Sequence, residues 1–351
     1  MGKNNKTYFY SDFTASTLTL LKAEDNGERV LIRDIKEINL RDEEATAGAI
    51  ESITENKRDG YLLSTVGFYP ESSFFLYREL EEPKKASDGM FLSKLVASEG
   101  KVDPEEYTIT VLSNTKGIPI DFSKAPEKEV LFCGAKTSEC LDFQNRLLEL
   151  KVFPRAMEIS TLGTVGALLD YLDYEEIEDP ALMIELGMDT SHAFILENGK
   201  VSQYRLIQQG MRRMFGMVKS ELGLKDETAA ARLFHSDTFD FQEMGPKLAG
   251  GLLREINAYA AFYEVQKGST IRHVICSSTP GKLPWLNTTL AKMMVVDPIE
   301  IEYGDWLAER GIDVEKTSVL EQHTTNLLGS LGLMLDRVYK EKKDEVEEET
   351  A

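Results

Sequence analysis

Cysteine is scarce in this chain. Only Cys133, Cys140 and Cys276 occur in 351 residues, without CxxC spacing, so there is no disulfide framework, and buried thiols of a reducing compartment are expected. Histidine is as sparse. His192, His235, His273 and His323 are too scattered for a metal motif. Positive charge is in deficit, with Lys+Arg 40 against Asp+Glu 60 and a net charge of -20, which disfavours nonspecific attraction to DNA, RNA or anionic lipid. The longest apolar run, around Leu327 to Leu335, is far short of the ~20 residues that cross a bilayer. The opening MGKNNKTYFYSD has no apolar stretch typical of an export signal, and Lys6 stands where a myristoylation site wants Ser or Thr. A P-loop and a GxGxxG sequence are both lacking. These absences lead us to expect a cytoplasmic globular protein, with no nucleic-acid partner and no direct membrane insertion. In that compartment the Asn-x-Thr triplets at Asn5 and Asn287 have no role.

What is present is a repeated pattern. From Ala181 to Gly210 the chain reads as an apolar strand ending on Glu185, a short turn from Gly187 to Thr190, and a second strand from His192 to Leu196. Asn198-Gly199 then turns it into a third strand, both residues tolerating positive φ. From Tyr8 the same order recurs, with Asp12 after the first strand and Asn26-Gly27 closing the hairpin. Two such units, each placing a carboxylate beside a turn, could face each other across a cleft and hold a phosphate chain with a divalent cation.

Between and beyond the hairpins the periodicities predict further elements. A helix is expected at Glu43–Asn56 and a buried strand at Tyr61–Val66. A strand at Phe74–Leu80, a helix capped by Asp88, strands around Tyr107–Val111 and Val130–Cys133, and a helix on Cys140, Phe143, Leu147 and Leu150 make an inserted αβ block. A helix from Ser160, helices on Met211–Leu222 and Ala229–Phe234, a long one after Pro246, a strand at Ile271–Cys276, and helices at Pro284–Met294 and about Leu320–Tyr339 follow. Glu158 reads as the polar start of the Ser160 helix, in preference to a functional acid in the segment joining the two lobes. Ser113-Asn114-Thr115-Lys116 fits Ser-x-x-Lys but lacks its companion motifs, so it is taken as chance.

In this order the elements resemble the actin-like ATPase superfamily, and within it the type IV pilus assembly PilM family, with FtsA more distant. The resemblance covers roughly Tyr8 to Arg337. It is carried best by Glu185, Gly187, Thr190, Asn198-Gly199, Arg205 and Gly210, and by the helix NLLGSLGLMLDR from Asn326. It implies an α/β fold of two RNase H-like cores facing a cleft, with an inserted αβ subdomain in the first and a helical insertion in the second. The expected division is 1–69 and 153–180 for the first core, 70–152 for its insertion, 181–215 and 256–305 for the second core, and 216–255 for the helical insertion. Residues 306–339 are expected to pack back on the first core, and 340–351 to form a disordered charged tail.

The same resemblance implies nucleotide contacts at Asp12, Thr14, Ser16, Glu185, Gly187, Thr190, Gly210 and Ser278, with magnesium on Asp12 and Glu185. Several positions depart from the family's pattern. Thr14 replaces a glycine where the backbone must approach phosphate. Ser277-Ser278-Thr279-Pro280-Gly281 replaces consecutive glycines under the adenosine, and TAAARLF from Thr228 lacks the family's Glu and Lys. ATP binding is therefore expected to be weak or absent, and no catalytic residue is assigned. The implied function is a scaffold that is peripheral to the inner membrane. It would grip the cytoplasmic N-terminal peptide of a PilN-like bitopic partner near Phe74–Leu150. The alternative is an active ATPase or sugar-kinase-like phosphotransferase. Self-association stays open.

Overall fold

The structure, a computed structural model, describes residues 6–40, 43–54, 60–115, 117–124, 126–236, 239–277, 283–315, 320 and 327–335. The expected tail 340–351, with Ser278, His323 and Lys116, lies outside the described residues. The described chain divides into two compact units, one running to Leu168 and resuming at Glu302, the other Leu169–Ile301.

The first unit is built on β1 (Lys6–Phe13), β2 (Thr17–Asp25) and β3 (Val30–Asn39), an antiparallel meander. β4 (Leu62–Phe68) pairs parallel to β1, and β8 (Val152–Ile159) pairs parallel to β4. With β14 (Ile312–Val314) beside β3, the sheet order is β14-β3-β2-β1-β4-β8. Period-two alternation sends Phe9, Phe13, Leu18 and Leu20 to one face, where they bury against Ile50 of α1 (Glu43–Thr54) and Leu147 of α3 (Thr137–Glu149). At roughly 25 cal/mol per Å² of apolar surface, each such side chain contributes about 1.5–3 kcal/mol before entropy is counted.

β8 forms where the sequence pattern predicts only a return to the first lobe. Pro154 hides it. Proline cannot donate to a ladder, but β8 lies at the sheet edge, and the register shifts between Ser64 and Thr65, so that Arg155 is skipped. Glu158 accordingly stands in β8, in register with Gly67, and not at the start of a helix.

The inserted block is a three-stranded sheet, β5 (Phe74–Glu79), β7 (Glu129–Lys136) and β6 (Tyr107–Ser113), in the order β5-β7-β6. Its own core joins Phe74, Leu76, Val130 and Phe132 to Phe91, Leu92 and Leu95 of α2 (Gly89–Leu95). Asp88 caps α2 by accepting from the Met90 N–H, as its position predicts. The polar linker expected before it holds a short 3₁₀ turn, Pro83–Ser87. α3 and β8 pack with the first sheet, because Phe143 stacks on Phe68 at 4.5 Å and Leu147 enters that sheet's core.

In the second unit the order is β11-β10-β9-β12-β13, from β9 (Ala181–Leu186), β10 (Ser191–Glu197), β11 (Lys200–Ile207), β12 (His273–Ser277) and β13 (Asp297–Pro298). Asn198 and Gly199 both take positive φ, 52° and 71°, in the β10–β11 turn. In the Asn26-Gly27 turn only Gly27 does, while the Asn26 side chain accepts from the N–H groups of Glu28 and Arg29. One sheet face is covered by α5 (Met211–Leu222), α6 (Glu227–Phe234), α7 (Gly245–Lys267) and α8 (Pro284–Met294). Buried residues of the expected 216–255 insertion, among them Val218, Phe234 and Leu252, belong to this same core.

α4 (Ser160–Tyr174) follows β8, and the division between the units falls within it. α9 (Tyr303–Glu309) and β14 return the chain to the first unit, two elements that the sequence periodicity does not separate from the terminal segment. A further helix, α10 (327–335), then buries Leu327, Leu328, Leu331 and Leu335.

Candidate functional site

Asp12 lies inside β1, opposite Thr19 of β2 and Gly67 of β4, rather than after the strand. It is only 2% exposed, and burial pushes its carboxyl up to about 6, against a smaller opposing effect of two hydroxyl donors. Ser160 Oγ donates to Oδ1 at 2.5 Å, and the Tyr69 hydroxyl donates to Oδ2 at 3.3 Å. α10 lies directly over this carboxylate. A Cβ on Gly329 would come within 2.6 Å of Asp12 Oδ2 and 2.8 Å of the Tyr69 hydroxyl. Gly67 is equally constrained, since a Cβ there would collide with Ser160 Oγ and approach Leu333 to 2.9 Å.

The turn after Asp12 is filled by its own threonine. Thr14 Oγ1 accepts from the N–H groups of Ser16, at 3.2 Å, and Thr17, at 2.9 Å. It also shares a hydrogen with Thr17 Oγ1 at 2.7 Å. Two of the turn's backbone donors, of the kind an anion at a turn engages, are thereby used within the chain. Asp12, Thr14 and Ser16 are thus brought together, with Asp12 turned into the core and Ser16 exposed.

In the second unit Glu185 also lies within its strand, which runs on to Leu186, and it is 4% exposed. It sits opposite His192 and Ser277, and its charge helps raise the Tyr204 hydroxyl above its ordinary range, after the larger effect of burial. His192 Nδ1 is 2.8 Å from the Tyr204 hydroxyl, and burial holds the imidazole down to about 4, hence neutral. Gly187, Thr190 and Gly210 do converge. A Cβ on Gly187 would strike the Thr190 carbonyl, and one on Gly210 the Met188 carbonyl. The first amides of α5 are engaged by the same turn, Met211 N–H donating to Gly187 O at 3.0 Å and Arg212 N–H to Met188 O at 2.9 Å. Asp189 and Arg212 close it outside with a two-pronged ion pair, at 2.6 and 3.0 Å. Arg205 lies over the Tyr259 ring, 5.9 Å from its centroid.

The carboxylates therefore do not stand free beside their turns. Asp12 is committed to Ser160 and Tyr69, and Glu185 is buried beside His192 and Tyr204 on the sheet face opposite the one that packs on α5–α8. Among the described residues there is no group of three His, Cys, Asp or Glu side chains placed to hold a metal. Ser278 falls outside the described residues. Sequence reasoning missed Ser160, Tyr69 and Gly67, whose meaning depends on segments brought together by the sheet. The His192–Tyr204 pair had a readable signal, since both fall on one face of a predicted hairpin.

Among the described residues no helix is long and apolar enough to cross a membrane. No protein-family model matches the chain, and no curated protein matches it by sequence. Solved structures do match. A PilM-PilN type IV pilus biogenesis complex superposes with a TM-score of 0.69 at 14% identity, covering 94% of this chain and 98% of that one. The ethanolamine utilization protein EutJ from Carboxydothermus hydrogenoformans gives a TM-score of 0.44 at 8% identity, covering 94% of this chain and 90% of that one. A Bacteroides thetaiotaomicron protein with actin-like ATPase fold and unknown function gives 0.43 at 7% identity, covering 95% and 96%. The chain accordingly has the actin-like α/β fold, in the form seen in the PilM-PilN complex.

Proposed function

We propose that this chain is a scaffold of a type IV pilus or related secretion assembly. It docks the cytoplasmic N-terminal peptide of a bitopic inner-membrane partner and works without turning over nucleotide. The observation that carries this reading is the likeness to the PilM-PilN complex, extending over 94% of the chain. Two features support it. The Ser16 and Thr17 amides of the first turn are already bonded to Thr14 Oγ1, and the first two amides of α5 to the Gly187 and Met188 carbonyls. Beside the inserted block, α3 presents Leu141 and Leu148 to solvent, 54% and 39% exposed and two helical turns apart, the spacing of anchors for an apolar peptide.

The experiment is co-purification with the membrane protein encoded beside it, before and after removal of that partner's cytoplasmic N-terminus. Association that disappears with the peptide is expected. Failure of the intact proteins to associate sinks the scaffold reading. The second reading, a nucleotide-dependent enzyme, draws on the retained Gly187–Thr190 turn and Gly210. Calorimetric titration with magnesium-ATP separates the two, since low-micromolar affinity favours the enzyme and absence of heat favours the scaffold.

A further inference from the structure

On the α1 face of the first sheet, beside the last turn of that helix, a cavity of about 470 Å³ remains open. Its floor is Phe9 and Leu20, both buried, and Ile53 of α1 forms a wall. Its rim carries Lys22, Asp34 and Lys36. The size falls in the range of small-molecule sites, roughly 300–1,000 Å³.

The charges at the rim do not balance. Lys22 stands opposite Asp34 in the β2–β3 ladder, but the ion pair of Asp34 is with Lys36, at 3.7 Å. Lys22 is half-buried and has no ion pair among the described residues. Two ammonium groups thus share one carboxylate at the mouth of a cavity whose floor and one wall are apolar, in a chain whose net charge is -20. A partly desolvated ammonium gains most from an anion brought to it inside low-dielectric surroundings.

The floor also decides against a peptide main chain. β1 and β2 are interior strands whose backbone groups bond to one another and to β3 and β4, so they offer no ladder positions to an added strand. A peptide lying there would leave its amides unpaired, whereas a hydrocarbon chain has none to satisfy. We infer that this cavity binds an amphiphilic anion, an acyl chain on Phe9, Leu20 and Ile53 with its charged head at Lys22 and Lys36. The inference is independent of the scaffold reading. The head group could belong to a free fatty acid or to an anionic lipid.

Isothermal titration of sodium dodecanoate into the full chain, below its micelle concentration, tests the site. One-to-one binding is expected, weakening roughly tenfold for decanoate because two methylene groups are lost. Lys22→Met, which keeps the aliphatic stem, should weaken binding at least tenfold. Ser52→Trp should do the same by filling the mouth from α1, where Ser52 lies at the rim. Circular dichroism checks that each variant is folded, and if one is not, the other carries the test. Cosedimentation with phosphatidylglycerol vesicles separates the sources, since association assigns the lipid and its absence assigns the free acid. No dodecanoate binding, or binding unchanged in both folded variants, overturns the inference.

Discussion

Ser160, the first residue of α4, donates its hydroxyl hydrogen to the carboxylate of Asp12 at 2.5 Å, across 148 positions of sequence. Held this way beneath α10, Asp12 is a member of the first unit's core. Its raised value near 6 means that folding favours the proton-bound form. The stabilisation is complete below the ordinary carboxyl value of 3.8 and is lost as pH rises through about 6. The loss is on the order of 3 kcal/mol. Urea unfolding at pH 4 and pH 7 should show it, and Asp12→Asn should remove that part of the pH dependence.

The chain has two tryptophans, and they report the units separately. Trp306 is fully buried in the first, and Trp285 packs in the core of the second. Following Trp306 fluorescence in a Trp285→Phe background isolates the Asp12 effect.

His192 works in the opposite direction and in the other unit. Its value is depressed from 6.5 to about 4 by burial, so its stabilisation is complete above 6.5 and is lost as pH falls through about 4. The second unit should therefore lose on the order of 3 kcal/mol between those limits. NMR of the imidazole Cε1–H should show no titration between pH 8 and pH 5.5. A midpoint near 6.5 would contradict the buried geometry.

Three glycines separate close approach from simple propensity. Ala at Gly67 forces its methyl into Ser160 Oγ, and Ala at Gly332 forces it into the Gly163 carbonyl, which is backbone and cannot rotate away. Both should lower stability by about 1–3 kcal/mol or more, with Gly332→Ala the worse. Gly216, inside α5, has open space within 4 Å of where a methyl group would stand, and Ala there should stabilise by about 0.5–1 kcal/mol. Thermal unfolding of the three variants ranks them.

Glu139 ties the inserted block to α3. Its Oε1 accepts from Glu71 N–H at 2.7 Å, and its Oε2 accepts from Ser72 N–H at 3.1 Å and from the Ser72 hydroxyl. Glu139→Ala removes all three charge-assisted bonds and should cost about 2–3 kcal/mol. Limited proteolysis near Ser72 should accelerate, and an unchanged digestion pattern would count against this tie.

Both hairpins are legible because alternation, Asn-Gly turns and the acids fall within short windows. The same windows place the acids within one residue of their strand ends but leave the burial of Asp12 unread, since the hydroxyls that donate to it belong to Tyr69 and Ser160, and no local pattern announces such a partner. β8 is hidden by Pro154, whose missing N–H matters less at a sheet edge than in its middle. The demand for glycine at position 67 depends on Ser160 and Leu333, so it becomes visible only with α4 and α10 in place.

The tie at Glu139 has a consequence for how the chain can be rebuilt. Lys136 N–H donates to Ser72 Oγ at 2.8 Å, so the two strands that lead into and out of the three-stranded block begin and end at one spot. The block keeps its own core, and α3 stays with the first sheet. Joining residue 72 to residue 136 through a short glycine linker should therefore excise the block in one piece and leave the six-stranded sheet closed behind it. The fold is in this sense modular at a single hinge point, where a lineage could lose or exchange the block without redesigning the core that carries it.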